Sequence, residues 1–312
     1  MRQHKAAEKF DGNKATVVTI GTFDGVHVGH RKIIQRVLAS AVANDLESVV
    51  LTFFPHPRMV LQKDLGIKLL NTINERMQLL EQTGIDHLVV HPFTREFSRL
   101  SAEEYVKNIL VDQLKAKKVV IGYDHHFGRN RNADIEDLKR FGKQFGFEVE
   151  EIPEQDIDDV AISSTKIRKA LQQGNLAKAN KYLGSPFILT GTIARGKGLG
   201  RKMGYPTANL HVGENYKLIP AQGVYVVRAK IDEKVQYGMM SIGTNPTVGG
   251  VQQTIETYFF DLDQDLYDRH LQIEVLVRIR DEKKFDDVEA LIAAMEEDER
   301  YSRKFIDDLN AQ

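Results

Sequence analysis

The chain has 312 residues, 42% of them hydrophobic and 28% charged, a formal net charge of −1 and no cysteine. Its length predicts two domains, and the charge balance excludes a general basic field for nucleic acid or anionic lipid. Phosphate chemistry must therefore come from local clusters, and disulfides and thiolate metal sites are ruled out.

In chain order, the polar start MRQHKAAEKF lacks the apolar core of a signal peptide. No apolar run nears the roughly 20 residues of a membrane span, and the expected location is the cytoplasm, away from membranes. From residue 15 to about 150, apolar β-rich runs (ATVVTI, ESVVLTFF, HLVVHPF, KKVVIGY, FEVEEIP) alternate with helical patterns. Ile33, Ile34, Val37, Leu38, Ala41 and Val42 repeat at helical spacing, and Met77, Leu79 and Leu80 give the next helix its apolar side. Such alternation predicts an α/β fold: a doubly wound parallel sheet with helices on both faces.

The stretch GTFDGVHVGH, residues 21–30, begins where the first strand ends and runs into the first helix. Ligands of open α/β sheets bind at that place, and a helix start offers free N–H groups to an anion. Gly21, Gly25 and Gly29 let the backbone come close to a ligand. With the helix starting near Val28, His27 and His30 can face one phosphate. An ordinary glycine turn with a stray histidine is the plain alternative. Zinc is weaker, since no third ligand stands at a telling spacing.

After ISSTKIRKALQQGNLAKANKYLG (162–184) the rhythm changes. FILTGTIARG, GVYVVRAKID, KVQYGMMSIG, TIETYFFDLD and LQIEVLVRIR read as strands separated by turns, and the next helix is DDVEALIAAMEEDERYSRKFIDDL. Closely spaced strands predict an antiparallel β-barrel with a terminal helix. The domains are accordingly placed at 1–184 and 185–312. Within the second, Gly191, Gly196 and Lys197 nearly spell a Walker A loop. Gly198 stands where Ser or Thr is needed and no helix follows, so that reading fails. What remains is a glycine-rich basic loop able to cradle phosphate or to lie idle at the surface.

These motifs together resemble the prokaryotic bifunctional riboflavin kinase/FMN adenylyltransferase family. GTFDGVHVGH and ISSTKIR resemble the two nucleotidylyltransferase motifs. GYPTANL, GVYVV, SIGTNPT and TIETYFFDLDQDLYD resemble the kinase set, and five or six motifs stand in order over about residues 15–310. The resemblance implies ATP held for adenylyl transfer by Gly21, Phe23, Asp24, His27, His30, Ser164, Thr165 and Arg168. It implies a second ATP held for the kinase reaction by Gly196, Lys197, Gly198, Thr207 and Asn209, with Mg2+ on Thr207 and Asn209. Glu256 is the implied base for the riboflavin 5′-hydroxyl. Flavin contacts are implied for His56, Pro57, Asp124 and Arg280. Riboflavin, FMN and ATP are the implied partners, and His27 and His30 the implied stabilisers of phosphate charge.

Three positions depart from the family pattern: Phe54, where an acidic or amide residue is usual, and Ala133 and Asp268, where glycine is usual. The Asp124-His125-His126 string also matches a phosphoesterase family, whose other metal-binding aspartates are not evident. Two other functions stay open: a nucleotidylyltransferase for another phosphate with an accessory barrel, and a silent flavin-binding regulator.

Overall fold

The computed structural model describes residues 1–61, 66–123, 125–153, 162–196, 200, 203–247 and 250–311. The chain parts into two compact units, Met1–Ser164 and Thr165–Gln312.

The first unit is a parallel sheet in the order β1-β4-β3-β2-β5-β6. Its strands are β1 (Arg2–His4), β2 (Thr16–Ile20), β3 (Glu47–Phe53), β4 (His87–His91), β5 (Ala116–Gly122) and β6 (Glu148–Ile152). Side chains alternate between the two faces of a strand, and here both faces are covered. Val18, Val49, Leu51 and Val119 pack with Ile109, Leu110 and Leu138 on one side. On the other, Val50 and Leu88 meet Ile34 and Leu80, while Val17 and Val120 meet Val37 and Ala41. That explains why these strands read as continuous apolar runs. Of the helices, α1 (Val28–Ala43) follows β2, and α2 (Pro57–Leu61) and α3 (Ile73–Glu81) follow β3. Next come α4 (Ala102–Glu104), which continues as a π-wound stretch (Tyr105–Gln113), and α5 (Ile135–Phe145). Since β2 has β3 on one side and β5 on the other, the strand order reverses there, and a ligand crevice is expected beyond the carboxyl ends of β2 and β5.

The strand β1 was not foreseen, because three polar residues carry no pattern. It pairs with β4 and is held by side chains. His4 Nε2 lies 2.9 Å from His87 Nδ1, Arg2 Nη2 lies 3.1 Å from His87 Nε2, and the Ala7 N–H donates to His91 Nδ1.

The second unit opens with α6 (Ser164–Gln172, its first residue still in unit one) and α7 (Leu176–Leu183). Six strands then close a barrel in the order β10-β11-β8-β7-β12-β9. They are β7 (Phe187–Ala194), β8 (Ala208–His211), β9 (Gly223–Ile231), β10 (Lys234–Thr247), β11 (Gly250–Phe259) and β12 (His270–Arg280). Sequence reading finds five of the six and misses β8, the short link joining β7 to β11. Residues 165–184 lie with the barrel. Asn180 on α7 donates to the carbonyls of Val275 and Leu276 and accepts from Phe187 N–H. The final helix, α8 (Val288–Asn310), is clamped by Arg280, whose guanidinium grips buried Asp298 through both carboxylate oxygens.

Candidate functional sites

In the first unit the loop Gly21–His27 leaves β2 through a chain of uncommon backbone conformations. Gly25 has φ +92°, and Phe23 (+48°) and Val26 (+40°) share the left-handed region although neither is glycine. For β-branched Val26 this is a real outlier, held in place only if its surroundings over-determine it. They do. Asp24 is buried, and its carboxylate accepts from the backbone N–H of Leu70 and Asn71 at 2.9 and 3.2 Å. The Ser164 hydroxyl donates to the Asp24 carbonyl at 2.9 Å, and Arg31 Nε donates to the Val26 carbonyl. Asp24 therefore anchors the loop.

His27 is the N-cap of α1, and its Nδ1 accepts from His30 N–H at 3.4 Å. The two imidazoles stack with centroids 3.6 Å apart and planes at 17°, and Phe23 packs on His30. Burial pushes His27 down to about 4. Burial first, then the nearby His27 and Arg76, hold His30 well below the usual imidazole range. Both rings are thus neutral at pH 7. Because Nδ1 of His27 accepts, its proton sits on Nε2, which is left to donate to a ligand. Nδ1 of His30 is buried with no hydrogen-bond partner among the described residues.

Of the other expected residues, Thr165 and Arg168 are joined to each other on the first turn of α6. His56 Nδ1 accepts from Arg58 N–H at the start of α2, whose first residue is Pro57. Asp124 lies outside the described residues. Ala133 pairs through its backbone with Phe127 and is absent from the positive-φ positions, so it stands where glycine is not required. Asp268 has φ +62° in a turn, tolerable for aspartate.

Sequence reading missed Arg76. It gave α3 an apolar side of Met77, Leu79 and Leu80, yet Met77 and Leu79 are half-buried while Glu75 and Arg76 are buried. The usable signal was that Arg76 stands one helical turn before Leu80, on the same face.

In the barrel, the expected residues lie on or beside neighbouring strands. Asn209 on β8 stands opposite Glu256 on β11 and Ala194 on β7. Thr207 Oγ1 donates to Glu256 Oε2 at 3.1 Å. At Gly196 a Cβ would lie 2.4 Å from the Asn209 amide nitrogen, so any other residue there would push that side chain aside. Lys197 and Gly198 lie outside the described residues. The group of Thr207, Asn209 and Glu256 offers side-chain oxygens, the donor class of hard divalent cations. With so few protein donors it suits a cation held mainly by nucleotide phosphates. Arg280, expected near flavin, has its guanidinium committed to Asp298 and the Asp281 carbonyl.

The chain matches a family model for FAD synthetase over residues 9–166 and one for riboflavin kinase over 183–306. It is 36% identical over 290 residues to the bifunctional riboflavin kinase/FMN adenylyltransferase of Escherichia coli (strain K12), covering 93% of this chain and 92% of that protein. To the protein of the same description from Listeria monocytogenes serovar 1/2a it is 38% identical over 291 residues, at 93% and 92% coverage. A crystal structure described as a macrolide-efflux protein from Streptococcus pneumoniae matches with a TM-score of 0.88 at 34% identity, over 97% of this chain and 98% of that one. Among the described residues, no helix is long and apolar enough to cross a membrane.

Proposed function

The chain belongs to the bifunctional riboflavin kinase/FMN adenylyltransferase family, and from that premise we propose how its residues divide the two reactions. The protein phosphorylates riboflavin to FMN in its C-terminal half and adenylylates FMN to FAD in its N-terminal half. We assign adenylyl transfer to residues within 1–184 and phosphorylation to residues within 185–312.

In adenylyl transfer, the FMN phosphate attacks the α-phosphorus of ATP and pyrophosphate leaves. A phosphate is already ionised at neutral pH, so no general base is needed. His27 and His30, neutral and held rigidly, donate hydrogen bonds to ATP phosphate oxygens and stabilise the charge that grows there. Gly21, Phe23 and Asp24 shape the loop that receives the phosphates. Ser164, Thr165 and Arg168 at the start of α6 supply further donors to them. His56, Pro57 and Asp124 are assigned to the flavin side.

In phosphorylation, the nucleophile is the riboflavin 5′-hydroxyl, which must lose a proton as it attacks the γ-phosphorus of ATP. Glu256 accepts that proton. Thr207 and Asn209 would hold Mg2+, which neutralises phosphate charge when bound. Gly196, Lys197 and Gly198 line the nucleotide side, and Arg280 contributes to the flavin side by fixing α8 through Asp298. Riboflavin, FMN and ATP are the substrates, and we place the protein in the cytoplasm, where that ATP is available.

The observation that carries this reading is the pairing of two distinct sites on one chain: stacked neutral imidazoles at a helix start, and Thr207 hydrogen-bonded to Glu256 in the barrel. Incubation with riboflavin, ATP and Mg2+, with FMN and FAD resolved by chromatography, tests it. FMN must appear first and FAD second, and a protein that binds riboflavin without forming either product refutes it.

A further inference from the structure

We propose that Arg76 is a positioning residue for adenylyl transfer: its buried guanidinium, joined to the phosphate loop through Thr52, sets the loop and His30 in place. The inference rests on the assignment of that loop to ATP. Arg76 is fully buried, and its Nη1 reaches Thr52 Oγ1 at 3.5 Å and the Phe53 carbonyl at 3.4 Å, both at the carboxyl end of β3. The Thr52 hydroxyl in turn donates to the Thr22 carbonyl, inside the loop. The helix that presents Arg76 is itself rigid at that end. Thr72 caps α3, with its hydroxyl accepting from Glu75 N–H and the Glu75 carboxylate accepting from Thr72 N–H. Leu70 and Asn71, just before the cap, hold Asp24. One short segment, Leu70–Arg76, therefore grips the loop from two sides.

Guanidinium stays charged at any physiological pH, so this wall carries a permanent positive charge. Among the described residues, the groups that act on His30 electrostatically are His27 and Arg76, and both disfavour its protonation. Arg76 thus gives the loop a fixed shape, a neutral His30 and a field that favours an anion.

The full chain carrying Arg76→Met or Arg76→Lys tests this, with three readouts. Imidazole titration of His30 by NMR reads the charge. Steady-state FMN adenylylation reads the site, and riboflavin phosphorylation serves as the internal control. In Arg76→Met the His30 midpoint should rise toward the ordinary imidazole value, and kcat for FAD formation should fall roughly 10-fold or more through loss of alignment. Arg76→Lys should keep the low midpoint and recover most of kcat, and phosphorylation should stay unchanged in both. An unmoved His30 with kcat within about twofold of wild type in Arg76→Met overturns the proposal. So does Arg76→Lys as impaired as Arg76→Met with His30 unmoved in both, which would make Arg76 mere filling. If Arg76→Met abolishes cooperative melting of the first unit, the lysine variant decides alone by the same midpoint and kcat. Loss of FAD formation in His30→Ala but not in Arg76→Met removes only this inference. Loss in neither removes the loop's assignment as well.

Discussion

Residues 1–164 carry eight of the ten histidines, and the two we assign to ATP lie stacked and neutral at a helix start. The barrel half carries two, His211 and His270, both exposed, and its proposed site is a threonine beside β8 with an asparagine and a glutamate on adjacent strands. Both halves handle ATP, yet their residues differ because their nucleophiles do. An FMN phosphate arrives already ionised and needs only hydrogen-bond donors for the charge that builds on ATP. A riboflavin hydroxyl arrives protonated and needs an acceptor. The backbones differ as well: a strained loop leads into the stacked imidazoles, whereas β-strand register sets Glu256 opposite Asn209.

The sharpest way to break this contrast is Glu256→Gln. The change keeps shape and removes the acceptor, so kcat for riboflavin phosphorylation should fall by roughly 10²-fold or more, with FMN adenylylation continuing. Survival of phosphorylation near wild type would remove Glu256 as base. Next comes His27→Ala or His30→Ala. Loss of one preorganised donor costs on the order of 3 kcal/mol, roughly 10² in rate, and should appear in FAD formation from FMN alone. An equal fall in both activities would mean one shared site.

A pH experiment sharpens the contrast through stability. Burial lowers His27 and His125 to about 4 and depresses His30, His87 and His91 as well. Each of these rings takes a proton more readily unfolded than folded, so the stability it contributes is intact above the ordinary value of 6.5 and declines as pH falls below it. With each tenfold change worth about 1.4 kcal/mol, His27 alone removes roughly 3 kcal/mol by pH 4. Calorimetry between pH 7 and 4.5 should show the first unit's transition moving down ahead of the barrel's. Parallel shifts would contradict the account. The smallest effect is expected from Asn180→Ala, which strands one backbone N–H and two carbonyls between α7 and the barrel. At about 1–3 kcal/mol it should lower the barrel transition by several degrees and leave FAD formation from FMN untouched. For the same reason a fragment from 165 should melt higher than one from 185.

What could be read without coordinates was whatever is local. The runs ATVVTI and ESVVLTFF announced strands because both faces of the sheet are buried. GTFDGVHVGH announced its strand-to-helix turn and the meeting of two imidazoles because loop, cap and both rings lie within ten residues. β8 escaped notice, being four residues of mixed character whose strand state depends on neighbours on both sides. Thr207 and Glu256 are 49 residues apart, and only the family resemblance pointed to their meeting. Arg76 was hidden by a helical pattern in which a cation on the buried face looks like an interruption rather than a component.

The two imidazoles that dock the terminal strand have a direction. The Lys9 carbonyl, 3.3 Å from His4 Nδ1, has no proton to give, so His4 carries its own on Nδ1. His4 Nε2 must then receive, and His87 supplies the proton from its Nδ1. That leaves His87 Nε2 bare between Arg2, which can only give, and the Glu47 carboxylate 3.2 Å away, which can only receive. Protons therefore point one way along four groups, from guanidinium to carbonyl, and neither ring can change its tautomer without the other. An added proton on His87 would land on Nε2, opposed by Arg2 and received by the Glu47 carboxylate. Nitrogen chemical shifts of the two rings should report a matched pair of Nδ1–H tautomers that convert together or not at all.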